Sequence, residues 1–118
     1  MAFIGEGSNR AWVSFRGGNG NTVGINDDYN VSSITRNGTG HYYINFDGDF
    51  SNANYCMNGT ATEDGTEQNS SDGGRGEVVV VGARIQHLVG QAKIYTITTD
   101  GTSVRDCGRI EMQFTGDR

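Results

Sequence analysis

Two histidines, two cysteines and a few spaced carboxylates are the side chains of this 118-residue chain with chemistry to offer. His41 and His87 lie far apart, and neither stands in a metal-ligand spacing, so each reads as a solvated strand residue. Cys56 and Cys107 lack the C-x-x-C spacing of zinc or redox sites. They read as reduced, partly buried thiols, with a single bridge open to them under oxidising conditions. Nothing ties either cysteine to a histidine as a nucleophile–base pair, and no G-x-S-x-G elbow occurs. In "FDGDFSNAN" (46–54), Asp47, Asp49 and Ser51 alternate as at the start of a calcium loop. Asn52 and Asn58 then occupy the positions where that loop needs Gly and Glu. A tight acidic turn is the plainer reading, and Asp27 and Asp28 read the same way. Glycoside cleavage needs two acids facing each other across a cleft; acids are plentiful here, and no pair is singled out. The chain is expected to be non-enzymatic, with no catalytic, cofactor or metal residues.

The elements that would carry any site are strands. "NVSSITRNGTGHYYINF" (30–46) is two β-prone runs around Asn37-Gly38, the strongest short-range hairpin signal. A two- or four-residue loop puts Val31, Ser33 and Thr35 on the face of Tyr42, Ile44 and Phe46; a three-residue loop brings Ile34 onto it instead. In each register Tyr42, Ile44 and Phe46 share a side, which is assigned to the core. His41, Tyr43 and Asn45 then face water or a partner. Further strands are read at "RAWVSF" (10–15), near Val23 and Ile25, around Ala53 to Met57, and in "EVVVVGARIQHLVG" (77–90). Another lies in "QAKIYTITTDG" (91–101), whose Asp100-Gly101 predicts a second hairpin into "VRDCGRIEMQF" (104–114). Residues 26–30 read as a polar turn, 1–9 as an N-terminal arm, and 62–76, without a large apolar residue, as a long mobile loop. No helical period, heptad or duplication is present. About eight closely spaced strands predict a single all-β domain over 1–118, an antiparallel β-sandwich of jelly-roll-like or barrel-like form.

Composition agrees. Glycine fills 19 positions and proline none; glycine supplies positive φ in turns without steric cost and weakens helices. The net charge is −5 and the nine Lys and Arg residues are scattered, which speaks against nucleic acid and against an anionic membrane surface. The longest aliphatic run, Val78 to Val81, is far short of the roughly 20 residues of a membrane-spanning helix, so no membrane insertion is expected. Met1 to Gly7 has neither the basic nor the apolar region of a signal peptide. Asn-x-Ser/Thr triplets at Asn30, Asn37, Asn58 and Asn69 read as turn chemistry.

Three blocks in order carry a family resemblance: "RAWVSF" (10–15), "NVSSITRNGTGHYYINF" (30–46) and "NANYCMNG" (52–59). Together they resemble a module recurrent in tailed-phage virion proteins, above all tail-fibre ends and other appendages of phages of aquatic bacteria. "RIEMQFTGDR" (109–118) resembles that family's short terminal strand. Two departures bear on loop shape and not on the hairpin. Asp49, Phe50 and Ser51 stand where such modules often have a small residue, Met and Pro, and His41 stands where Asp often follows Asn-Gly-Thr-Gly. The resemblance implies a non-enzymatic structural protein of the virion exterior, assembled in the host cytoplasm: a capsid decoration, knob or short fibre, or a small tail or neck appendage. The implied partners are copies of itself in a homo-oligomer such as a trimer, and other head or tail proteins. The alternative is a module binding a host-surface carbohydrate. Tyr43, His41 and Tyr29 are the candidate interface or ligand contacts. The aromatics available for a sugar are Trp12, Tyr29, Tyr42, Tyr43, Tyr55 and Tyr95, with Trp12 assigned to the core.

Overall fold

The computed structural model describes residues 10–18, 23–63, 78–98, 101 and 104–116. Its strands are β1 (Ala11–Arg16), β2 (Gly24–Tyr29), β3 (Val31–Gly38), β4 (His41–Phe46), β5 (Cys56–Glu63), β6 (Val78–Leu88), β7 (Gln91–Thr98) and β8 (Cys107–Thr115). Sheet A runs β2-β1-β8-β5 and sheet B runs β3-β4-β7-β6, all neighbours antiparallel. The eight strands therefore make an all-β sandwich of two separate sheets. No helix occurs among the described residues. The arm expected over 1–9, and the loop expected over 62–76 beyond Glu63, lie outside the described residues; Thr62 and Glu63 themselves end β5.

Period-two alternation decides what is buried. Ala11, Val13 and Phe15 of β1 point inward, as do Tyr42, Ile44 and Phe46 of β4. Ala92, Ile94 and Thr96 of β7 meet Ile110, Met112 and Phe114 of β8 in the same interior. These four strands are the centres of the two sheets. These inward side chains pack together as one hydrophobic cluster between the sheets. Among the described residues, the large hydrophobics left exposed are Tyr29, Leu88, Val89 and Val104.

A tyrosine hydroxyl ties down each end of the sandwich. At one end Tyr55 packs against Phe46, Phe50 and Phe114 and donates to the Leu88 carbonyl at 2.7 Å. At the other end lies Asp106, just before β8 and buried. Its carboxylate accepts from the Gly40 amide (2.8 Å), from Arg36 Nε (3.1 Å) and from Arg36 Nη2 (2.8 Å). The single hydroxyl proton of Tyr42 is shared between Asp106 Oδ1 (2.7 Å) and the Gly17 carbonyl (2.8 Å). Burial, reinforced by the Asp106 bond, pushes the Tyr42 hydroxyl far above its ordinary pKa, so it stays a proton donor. Hydrogen bonding to Asp106 likewise raises the pKa of Arg36.

Several sequence expectations are corrected. The opening hairpin forms, but its turn is Thr39-Gly40, with Gly38 opposite His41 and a bulge at Asn37. Ile34 then stands opposite Ile44 and packs against the core, the outcome of the odd-loop register. Gly40 is the turn residue because it adopts φ +65° and because a Cβ there would lie 2.8 Å from Arg105 N and from Thr96 O. The segment 26–30 is not a turn up to Tyr29: pairing with β1 holds Asn26, Asp27 and Asp28 in β2 despite their poor strand propensity. The turn follows at Asn30, at φ 61°, whose side chain accepts from the Gly48 amide at 2.6 Å. The strand expected around Ala53 begins only at Cys56, because Asn52 caps a local turn by accepting from the Asn54 amide. Asn58 sits in that strand and not in a turn. Past Gly101 the chain makes one isolated bridge, Ile97 to Val104, and then crosses to sheet A, so β7 and β8 are not a hairpin.

The two glycines of the hairpin give a direct check. Nothing lies within 4 Å of a Cβ built at Gly38. Gly38→Ala is expected to change unfolding free energy by less than about 0.5 kcal/mol. Gly40→Ala combines left-handed strain with overpacking and is expected to cost about 2–4 kcal/mol. Urea denaturation measures both; equal costs would contradict the turn assignment.

Candidate functional site

The alternation that buries Ala11, Val13 and Phe15 turns Trp12 and Ser14 to the outside of sheet A. Trp12 is therefore not a core residue. The signal was present in Ser14 and Arg16, polar residues of the same parity. Register then builds rows across the sheet. Trp12 stands opposite Tyr29 on β2 and opposite Gln113 on β8, and Gln113 stands opposite Asn58 on β5. The row Tyr29–Trp12–Gln113–Asn58 is aromatic on one side and amide on the other. The next row on this face is Asp27–Ser14–Glu111–Thr60. A bulge in β2 adds Asn26, whose amide donates to Ser14 Oγ at 3.3 Å.

Over these rows lies a cleft of about 830 Å³, with Trp12, Ser14, Asn58, Thr60, Glu111 and Gln113 in its lining. That is the size range of small-molecule sites. Tyr29, 47% exposed, stands beside Trp12 outside this lining. Arg109 Nε donates to Glu111 Oε2 at 2.7 Å, and the Thr60 hydroxyl donates to Glu111 Oε1 at 3.3 Å. Exposed as it is, the ion pair adds little stability; it orients the carboxylate in the cleft. The indole N–H of Trp12 and the amide of Asn58 have no hydrogen-bond partner among the described residues.

The outer face of sheet B is built differently. His41 stacks on Tyr95 with ring centroids 4.3 Å apart and meets the edge of Tyr43 at 5.2 Å. Lys93 Nζ lies 4.9 Å over the Tyr43 ring. The Asn45 amide donates to Ser33 and Thr35, and Gln91 donates to Asn45. These two amides are bonded within the face, and its rings pack against one another. The structure thus brings His41 and Tyr43 together and puts Tyr29 on the far side of the sandwich.

The histidines and cysteines do not converge among the described residues. His87 faces the interior beside Tyr55 and His41 faces out. Cys56 is exposed on β5, and Cys107 is buried at the start of β8, neither of them in a disulfide. Among the described residues no three His, Cys, Asp or Glu side chains gather as a metal site. What the sheet A face can do is hold a ligand by stacking and hydrogen bonding. Comparison with protein-family models, characterised proteins and solved structures finds no match for the chain.

Both histidines carry a pH dependence. Burial lowers the pKa of His87; burial, and then the charge of Lys93, lowers that of His41. A folded pKa below the unfolded value of 6.5 means that protons bind the unfolded chain more tightly. Their contribution is therefore complete above pH 6.5 and is lost as pH falls through that value toward the folded pKa. Thermal melting followed by near-UV circular dichroism should show a lower Tm at pH 5.5 than at 7.5, and a smaller drop in the His41→Gln, His87→Gln double variant. An undiminished drop would contradict the burial of these rings.

Proposed function

We propose that this chain is a non-enzymatic structural subunit on the exterior of a tailed-phage particle, a capsid decoration or a small tail or neck appendage, and that it meets the host surface through the outer face of sheet A. The observation that carries the reading is the row Tyr29–Trp12–Gln113–Asn58 beside an open cleft, binding machinery with no nucleophile–base pair next to it among the described residues. The likeness of residues 10–60 to virion appendage modules supports the setting. Copies of the chain, in a trimer or another closed ring, and neighbouring head or tail proteins would dock on the strands that end the sheets, β5 of sheet A and β3 and β6 of sheet B. The fourth such strand, β2, carries Asp27 and Asp28, charges that oppose strand addition. Assembly of that kind leaves the sheet A face open.

Quantitative mass spectrometry of purified particles, with sedimentation of the isolated chain, tests the proposal. The expected result is multiple copies per particle and a closed oligomer at high concentration. A chain that stays monomeric and is missing from particles would sink it. Particles carrying Trp12→Ala should assemble normally and adsorb to host cells at least tenfold more slowly.

A further inference from the structure

We infer that the sheet A cleft is a saccharide site whose ligand is a stretch of uncharged glycan lying across the strands, along the row from Trp12 to Asn58. The biological setting rests on the attachment reading above; the chemistry does not. A pyranose ring has an apolar C–H face and a rim of hydroxyls. It is recognised by an aromatic plane against the face and by planar polar groups at the rim. Trp12 supplies the plane, turned away from the core by strand alternation, with Tyr29 beside it. Gln113 and Asn58 follow on the next two strands. Two strand spacings of about 4.8 Å make a span of roughly 10 Å, room for two linked rings. An amide offers both donor and acceptor, as a sugar hydroxyl does, so the Asn58 side chain can bond a hydroxyl in either sense. The Asn58 amide and the Trp12 N–H are uncommitted among the described residues.

Glu111 adds a fixed acceptor. Arg109 and Thr60 hold its carboxylate in place, so little side-chain freedom is lost on binding. Charge then selects the class. The charged residues of the cleft are Asp27 and Glu111 against Arg109, and Arg109 is already paired. An acidic sugar would meet an unbalanced carboxylate; a neutral one would not. An extended peptide is a poor occupant, because the backbone groups of the central strands β1 and β8 are consumed on both sides by their neighbours. The sheet B face fits a sugar less well, since its amides and aromatic rings are engaged with one another.

The chain contains one tryptophan, so its fluorescence reads the cleft directly. The probes are neutral gluco-, manno- and galacto-oligosaccharides, with polygalacturonate as the acidic arm. The expected result is a saturable change in Trp12 emission with at least one neutral probe and none with polygalacturonate. In affinity electrophoresis against the matching neutral polysaccharide, Trp12→Ala should weaken retention at least tenfold and Asn58→Ala several-fold. Tyr43→Ala, on the opposite face, should leave retention unchanged. Silence toward every neutral probe, equal binding of polygalacturonate, or full retention by a folded Trp12→Ala chain would overturn the inference. Should Trp12→Ala fail to fold, unchanged retention in both Asn58→Ala and Gln113→Ala overturns it. Particles that need Trp12 for adsorption although no neutral glycan binds would refute the ligand and spare the attachment role. Glycan binding by a chain absent from particles would do the reverse.

Discussion

One buried carboxylate couples the parts of this sandwich that sequence separates most widely. Asp106 receives the fork of Arg36 from β3, the amide of Gly40 from the following turn and the hydroxyl of Tyr42 from β4, while Tyr42 also reaches the Gly17 carbonyl beyond β1. A buried charge is tolerable only when opposite charge and hydrogen-bond donors surround it. Here that requirement forces the end of β1, the β3–β4 turn and the entry to β8 to meet at one point. The turn falls at Gly40 for the same reason: a residue with a side chain is strained at that φ, and its Cβ would collide with the Arg105 and Thr96 backbones.

The phase of β8 follows from this anchor. Cys107, next to Asp106, points inward, and a bulge opposite Thr62 and Glu63 takes up one residue. Ile110, Met112 and Phe114 then enter the core, and Arg109, Glu111 and Gln113 go to the outside. The rows that line the cleft thus share their register with the core they cover. The two outer faces end up unequal. On sheet B, the Asn45 and Gln91 amides are bonded within the face, and His41, Tyr43 and Lys93 pack against one another. On sheet A, the Trp12 indole N–H and the Asn58 side-chain amide have no partner among the described residues and keep hydrogen-bonding capacity for something outside the protein.

Much of the architecture was legible in residue order. The dense β-branched run before Leu88, the Tyr42, Ile44, Phe46 alternation and the glycine-rich joints identify strands and their buried side. The errors have physical causes. The size of Trp12 outweighed the polarity of Ser14 and Arg16. Asn37-Gly38 is the better isolated turn, yet tertiary contacts placed the turn two residues on. Asn26, Asp27 and Asp28 became strand because β1 offers them hydrogen bonds that no local propensity measures. Of the residues singled out as contacts, Tyr29 borders the cleft, while His41 and Tyr43 sit in the closed network on the other face.

By itself, then, the amino-acid order determined the all-β class, the number of strands and the inward side of β4, because a strand's side-chain period is local and can be counted. It left open which strands adjoin, where the hairpin turns, and that Trp12, Gln113 and Asn58 form a row. Those were decided by tertiary structure alone. Asp106 and Arg36 are 70 positions apart, and the free energy that selects their meeting comes from burying and pairing them, which no short stretch of chain contains.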